Sequence, residues 1–350
     1  MKTLEGAGMN RSIKHVRASI ASKWSQLALK HSPRQGACFS AQCVTFLLLL
    51  GLPLLGGCSI KKVALRQVGN ALSGTGSTFS AENDPQLVRE ALPFSLKLMD
   101  GLLAEIPDHK PLVIAATSAY VQYAFAFLQM DADRLESTDF EAAQALRSRA
   151  ANLFLRARDY GLGGIELKRP GWVKRLAETP LEASHELDRD DVALAYWTGA
   201  AWAGLINLSK EQPHRIAEIP QMEVLMDRVL ELDEGWNDGA IHAFMITYAF
   251  ARQGTGEDPA EAAKYHYRKA LELSEGRQIG PHVSLAESLA VQTQDSALFE
   301  ELLRKATAFD VNTHPETRLV NLLMQQRAHW LLDHETDLIL PALEDLPPIE

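Results

Sequence analysis

Cysteine is nearly absent from this 350-residue chain, and the three present, Cys38, Cys43 and Cys58, all lie towards the N-terminus. Beyond Cys58 there is no thiol for a disulfide, a cysteine-based zinc site or a cysteine nucleophile. Other catalytic signatures are missing too. His185-Glu186 and His334-Glu335 lack a second histidine four residues on, which excludes the two-histidine zinc helix. Gly161-Leu-Gly163-Gly164 lies between helical segments rather than after a strand, so it is not a dinucleotide-binding turn. There is no GxSxG and no Walker lysine loop. The 11 histidines are scattered without ligand spacing. The expectation is a protein that is not an enzyme, with no cofactor and no metal. Period-2 alternation is scarce, and no run after Cys58 reads as apolar enough to cross a membrane.

Basic charge is also scarce, and it is unevenly placed. Residues 1–57 carry seven Lys or Arg against the single acid Glu5, leaving 28 basic and 44 acidic residues from Cys58 onward, a net charge near −16. Nucleic-acid binding depends on basic charge and is not expected. The basic N-terminal stretch runs to Arg34, and a twelve-residue apolar run, Val44 to Leu55, follows it. Twelve residues rise about 18 Å as a helix, short of the ~20 residues that span a bilayer, so the pattern is that of a cleavable signal. The run ends Leu55-Gly56-Gly57-Cys58, which resembles the lipobox of bacterial lipoproteins. That resemblance implies cleavage before Cys58, lipid on its thiol, and a palmitate-type third chain on its freed amine; two or three chains anchor stably where one is marginal. Ser59 after the cysteine, by resemblance to enterobacterial sorting, points to the outer membrane's periplasmic face. The expected organisation is a signal at 1–57, a lipidated Cys58 with a flexible tether to 83 (Gly69 to Ser80 being rich in Gly and Ser), and a helical domain over 84–345.

What is abundant is helix-forming sequence: from Asp84 onward Ala, Leu, Glu and Arg dominate. Asp84-Pro85 and Asp258-Pro259 are N-cap and first-turn signals. Helices are expected over about 84–105, 110–130, 139–160, 190–209, 215–232, 237–252, 258–274, 281–293, 295–309, 315–332 and 335–344. Spacing then points to a repeat. Ala150-x3-Phe154-x2-Ala157 and Ala263-x3-Tyr267-x2-Ala270 match the small-x3-aromatic-x2-small pattern of the second helix of a tetratricopeptide unit, and Met222/Met226/Val229 and Phe299/Leu303/Ala306 are degenerate forms. The fold class is all-α, a tetratricopeptide-like solenoid of antiparallel helix pairs, which stacks neighbour on neighbour and leaves a concave face. Residues 161–190, rich in Gly, Pro and charge, read as an insertion whose Pro170-Gly171-Trp172 turn presents an exposed or docking aromatic, or simply packs back on the surface.

The aromatic residues have two readings. Tyr120, Tyr123 and Phe127 sit at i, i+3, i+7 and fit inter-helix core. Alternatively part of that stripe, with Tyr196, Trp197, Trp202, His242 and Tyr248, lines a concave pocket for a partner or an amphiphilic ligand. His242 and His266 fall on different helices of one repeat, where a buried, hydrogen-bonded role is expected.

Blocks across the helical domain resemble the TRAP transporter TatT-component family. They are Asp84 to Phe94, Arg156-Ala-Arg-Asp-Tyr-Gly161, Tyr196-Trp-Thr-Gly-Ala-Ala-Trp202, Gly239-Ala-Ile-His-Ala-Phe244, Leu285-Ala-Glu-Ser288, Gln294-Asp295 and Arg318-Leu-Val-Asn-Leu322. The resemblance implies a periplasmic helical-repeat lipoprotein that engages the solute-binding protein of a TRAP transporter and assists uptake of small organic acids or other ligands. It assigns no catalytic residue. The alternatives are a periplasmic carrier of small hydrophobic ligands and an envelope-assembly scaffold, and a symmetric homo-oligomer is compatible with each.

Overall fold

The structure is a computed structural model that describes residues 57–74 and 76–340; for Cys58, Ser59 and Ser77 only the backbone is described. The signal region, the lipobox residues before Gly57 and the acidic tail from Pro341 lie outside the described residues. Among the described residues there is helix and turn but no strand.

The start signals act as the sequence predicts. The Asp84 carboxylate accepts from the backbone N–H groups of Gln86 and Leu87, opening helix α3 (Pro85–Glu105), and Asp139 caps α5 (Phe140–Lys168) by accepting from Ala142. Asp258 and Asp295 do the same for α11 (Pro259–Leu273) and α13 (Ser296–Thr307). Between these lie α4 (Lys110–Leu135), α6 (Trp172–Glu178), α7 (Pro180–His185), α8 (Val192–Asn207), α9 (Ile219–Asp233), α10 (Trp236–Tyr248) and α12 (280–293). The last long helix is α14 (Arg318–Asp333). Two of them contain π-helical segments, Ala124–Gln129 in α4 and Ala286–Ala290 in α12. Helix α4 has 26 residues and contains an 18-residue window of mean hydropathy 1.4, so by length and composition it could cross a membrane, contrary to the sequence reading. Its apolar side chains are spent on the interior instead: Leu112, Val113, Ala116, Tyr120, Val121, Ala124, Phe127 and Leu128 are all buried.

The long helices pack as antiparallel neighbours, α4 on α5, α5 on α8, α8 on α9, α10 on α11 and α13 on α14. The repeat signature explains the closeness. Ala150, Phe154 and Ala157 are 0–1 % exposed, and the Phe154 ring lies over Gly204 of α8, where a Cβ would sit 2.8 Å from it. Met226, Val229, Ala263, Phe299, Leu303 and Ala306 are equally buried. The solenoid also closes on itself. Helix α14 packs on α3, its Leu323 joins the core formed by Val88, Leu92 and Phe127, and Arg318 donates to the Ala81 carbonyl at 3.1 Å.

One sequence expectation changes, and the 161–190 insertion takes the second of its two readings. The stretch expected as a flexible tether is helical over most of its described residues: α1 (Gly57–Ser73) and α2 (Gly76–Ser80) are helices, Leu65 and Leu72 pack on one core cluster, and Phe79 packs on another. Glycine and serine there permit close packing rather than mobility, Gly69 being buried against His109 and Ile106. The expected insertion begins inside α5, which continues to Lys168. Trp172 is not exposed; it is 0 % accessible and donates from Nε1 to the Ala183 carbonyl at 2.8 Å, so α6 and α7 pack back on the body. Asp191, 1 % exposed, accepts from Lys168 and pairs with Arg169. Burial alone would raise its carboxyl, but Arg169, the Asp188 backbone N–H and Lys168 hold it well below the usual carboxylate range.

Candidate functional site

One side of α5 is committed to the core and the other to an open groove. Gln144, Arg147, Ser148, Ala151, Asn152 and Leu155 recur at helical spacing and form one wall. The other wall comes from the end of α8 and the segment after it, Asn207 to Gln212 with Arg215. The enclosed volume is about 670 Å³. Arg215 of this wall is tied to the core through Glu218, which accepts from Trp202 Nε1 at 2.7 Å, Arg158 at 3.0 Å and Arg215 at 3.1 Å.

A second cavity of about 470 Å³ adjoins it, and the two share Asp133 and Arg147. Here the C-terminal helices supply Glu287, Val291, Arg327, Trp330 and Leu331, facing Asp133 and Glu136 from the N-terminal side. Charges alternate across the seam. Glu287 accepts from Arg327 at 2.6 and 2.9 Å, Arg327 lies 3.1 Å from Asp133, and Asp133 is 3.3 Å from Arg147, which also pairs with Glu136. The Arg327–Asp133 contact is an ion pair without a well-aligned hydrogen bond. Burial pushes the Glu287 carboxyl above its ordinary value, and Arg327 pulls it back only in part. The Arg327 guanidinium sits 4.5 Å from the Trp330 ring centre, and His334 stacks on Trp330 at 4.7 Å. Sequence reading assigned none of these groove residues to a site. The signal was present as the polar stripe of α5 opposite Ala150, Phe154 and Ala157, but its facing wall comes from residues about 60 and 180 positions away along the chain.

The residues singled out from sequence do not gather in this groove. Tyr120, Tyr123, Phe127 and Trp202 are buried in the core. Tyr120 and Tyr160 both donate to Asp100, at 2.9 and 2.7 Å, and Arg156 donates to the Tyr120 hydroxyl at 3.1 Å. His242 is 0 % exposed, its Nδ1 2.8 Å from His266 Nδ1 and its Nε2 3.2 Å from Glu234. That is the buried, hydrogen-bonded arrangement expected of the pair. Burial lowers both imidazoles, His266 to about 4 with help from the neighbouring His242. Tyr248 is half-buried, stacks on Phe244 at 5.3 Å and donates to Glu223.

Tyr196 and Trp197 do come together, with a third ring that sequence reading missed. Tyr196 lies 5.1 Å from Trp197 and 5.0 Å from Trp236, and all three are half-buried. Trp236 is aimed there by three successive left-handed residues, Asn237, Asp238 and Gly239, with φ of 51°, 58° and 79°. The Asn-Asp-Gly run is a turn signal that could have been read inside the helix expected from 237. A side chain at Gly239 would meet Leu273 at 2.9 Å, so the close approach requires glycine. Cys58 lies in the first turn of α1, and only its backbone is described. Among the described residues no group of three or more His, Cys, Asp or Glu is placed to hold a metal ion.

Comparison with known proteins adds two findings. Residues 81–339 match the family model described as TRAP transporter T-component. An uncharacterized protein of Treponema pallidum (strain Nichols) is 27 % identical over 334 residues, covering 89 % of this chain and 100 % of that protein.

Proposed function

The chain belongs to the TRAP transporter T-component family, and from that premise we propose that it is a lipid-anchored periplasmic accessory subunit that docks the transporter's solute-binding protein in the groove along α5. Family membership implies association with a transporter and not an enzymatic role. The observation that carries the docking reading is the amide-rich wall of that groove. Gln144, Asn152, Asn207 and Gln212, with Arg147 and Arg215, offer both donors and acceptors to a polar partner surface. Net acidity outside the groove suits a partner with a basic or neutral face, with association weakened by salt. Acylation of Cys58 would hold the protein at the membrane, facing the periplasm.

The test is affinity purification of the tagged full-length protein from detergent-solubilised envelopes, with mass spectrometry of what accompanies it. A TRAP solute-binding protein is expected, and it should be lost with Gln144→Ala/Asn152→Ala at unchanged thermal stability of the bait. Recovery of envelope-assembly proteins instead would sink the reading. A second reading, carriage of a small amphiphilic ligand, is favoured by the adjoining cavity, where Val291, Trp330, Leu331 and Leu338 give an apolar wall beside Arg327 and Glu287. Native mass spectrometry that shows a bound small molecule, displaced by Leu331→Arg, would favour it.

A further inference from the structure

We propose that the groove along α5 takes an extended polypeptide segment of its partner, held through the segment's backbone. This rests on the docking reading above and sharpens it, since it names the shape and chemistry of what enters.

A row of uncommitted side chains carries the inference. Gln144, Ser148 and Asn152 follow one another at i, i+4 and i+8 on α5, and all three are exposed and line the groove. None of them has a hydrogen-bond partner among the described residues, and neither does the side chain of Asn207 on the facing wall. Charge in the groove is spent differently. Arg147 pairs with Asp133 and Glu136, and Arg215 pairs with Glu218. What the α5 wall has left to offer is amide and hydroxyl.

The spacing suits an extended chain. Successive members of the row rise about 6.0 Å along the helix axis, and alternate residues of an extended strand lie about 6.6 Å apart. Over two steps the mismatch is about 1.2 Å, roughly the one methylene by which Gln144 outreaches Asn152. An amide or a hydroxyl both donates and accepts, so each member of the row can bond the N–H or the C=O of a peptide unit. A helix could not use the row in this way, because its own N–H and C=O groups are already paired. From Gln144 to Leu155 the wall is about 16.5 Å long, room for about five extended residues. Alternate side chains of such a segment fall to opposite faces, one set towards Ala151, Leu155 and Leu208 of the same groove. The segment that fits is therefore apolar at every second position and tolerant of sequence elsewhere.

The test uses the full-length chain in detergent with the purified TRAP solute-binding protein. The photo-reactive residue p-benzoylphenylalanine replaces Ala151 or Glu211, one on each wall and both outside the row. Photolysis and mass spectrometry should link both positions to a single contiguous partner segment. Hydrogen exchange resolved by residue should show slowed N–H groups at alternate positions within that segment. Gln144→Ala/Asn152→Ala should remove the alternation and weaken the complex roughly tenfold or more, at unchanged melting temperature. Links from the two walls to regions far apart in the partner sequence would overturn the extended-segment proposal and leave docking in place. Unbroken protection along the linked segment, the mark of a docked helix, would do the same. Absence of any complex would overturn the docking reading and this proposal together.

Discussion

The stack from α4 to α9 and the seam where α14 returns to α3 and α4 are held by different forces. In the stack, Phe154 covers Gly204, and Ala150, Ala157, Met226 and Val229 leave almost no accessible surface. At the seam a modest apolar contact through Leu323 is supplemented by the Glu287–Arg327–Asp133–Arg147 chain of charges. Apolar close packing is insensitive to salt and intolerant of volume change. A partly exposed charge chain tolerates volume change but responds to salt and to loss of a single member. Both cavities border the Asp133–Arg147 pair, so the seam's charges reach the groove that the stack lines.

Truncation at the centre of the stack gives the largest expected effect. Phe154→Ala should cost about 3–5 kcal/mol in denaturant unfolding, because it removes a buried ring whose site cannot collapse onto Gly204 and Ala157. A loss below 1 kcal/mol would mean the stack is not the stability determinant described here. Next comes Arg327→Met, which strands Glu287 and Asp133 and should cost about 1–3 kcal/mol. Adding Glu287→Gln should restore part of that, as a double-mutant cycle would read; full additivity would deny the coupling.

Acid should weaken the protein through its histidines. His266 and His282 are each pushed down to about 4 and His242 is lowered, all mainly by burial. The unfolded chain takes up protons near the ordinary value of 6.5 while these folded-state imidazoles stay neutral, so stability is complete above that pH and declines as pH falls towards 4. Melting temperature followed from pH 7.5 to 4.5 should fall more steeply for the native chain than for His266→Gln. Identical slopes would argue against a neutral buried pair. The smallest effect is expected at Glu300→Ala, where the Arg304 partner is a solvated i, i+4 neighbour and no measurable shift in melting temperature should follow.

How much was legible follows from the range of the interactions. Asp84, Asp139, Asp258 and Asp295 cap helices through bonds two or three residues away, so helix starts could be read from short windows. Repeat signatures such as Ala150/Phe154/Ala157 marked core faces for the same reason. An error arose where composition was read as mobility: Gly69 lies in a Gly- and Ser-rich stretch, yet it is buried against His109 and Ile106, whereas of the two readings of the Trp172 turn the one that packs back holds. The aromatic stripe was assigned two fates because period alone cannot say whether a ring meets a neighbouring helix or solvent. Trp236 escaped notice because three left-handed residues, not helical periodicity, aim it at Tyr196.

The sequence by itself determined that this is an all-α repeat with its cationic charge at the N-terminal end and helix starts at capped aspartates, since each rests on residues within a turn or two of one another. Tertiary structure decided that the solenoid closes on itself, that the expected tether is a packed helix, and that the groove takes one wall from α5 and others from α8 and α14. These depend on contacts between residues tens to hundreds of positions apart, such as Arg318 with Ala81, and no local pattern encodes which distant surface a helix will meet.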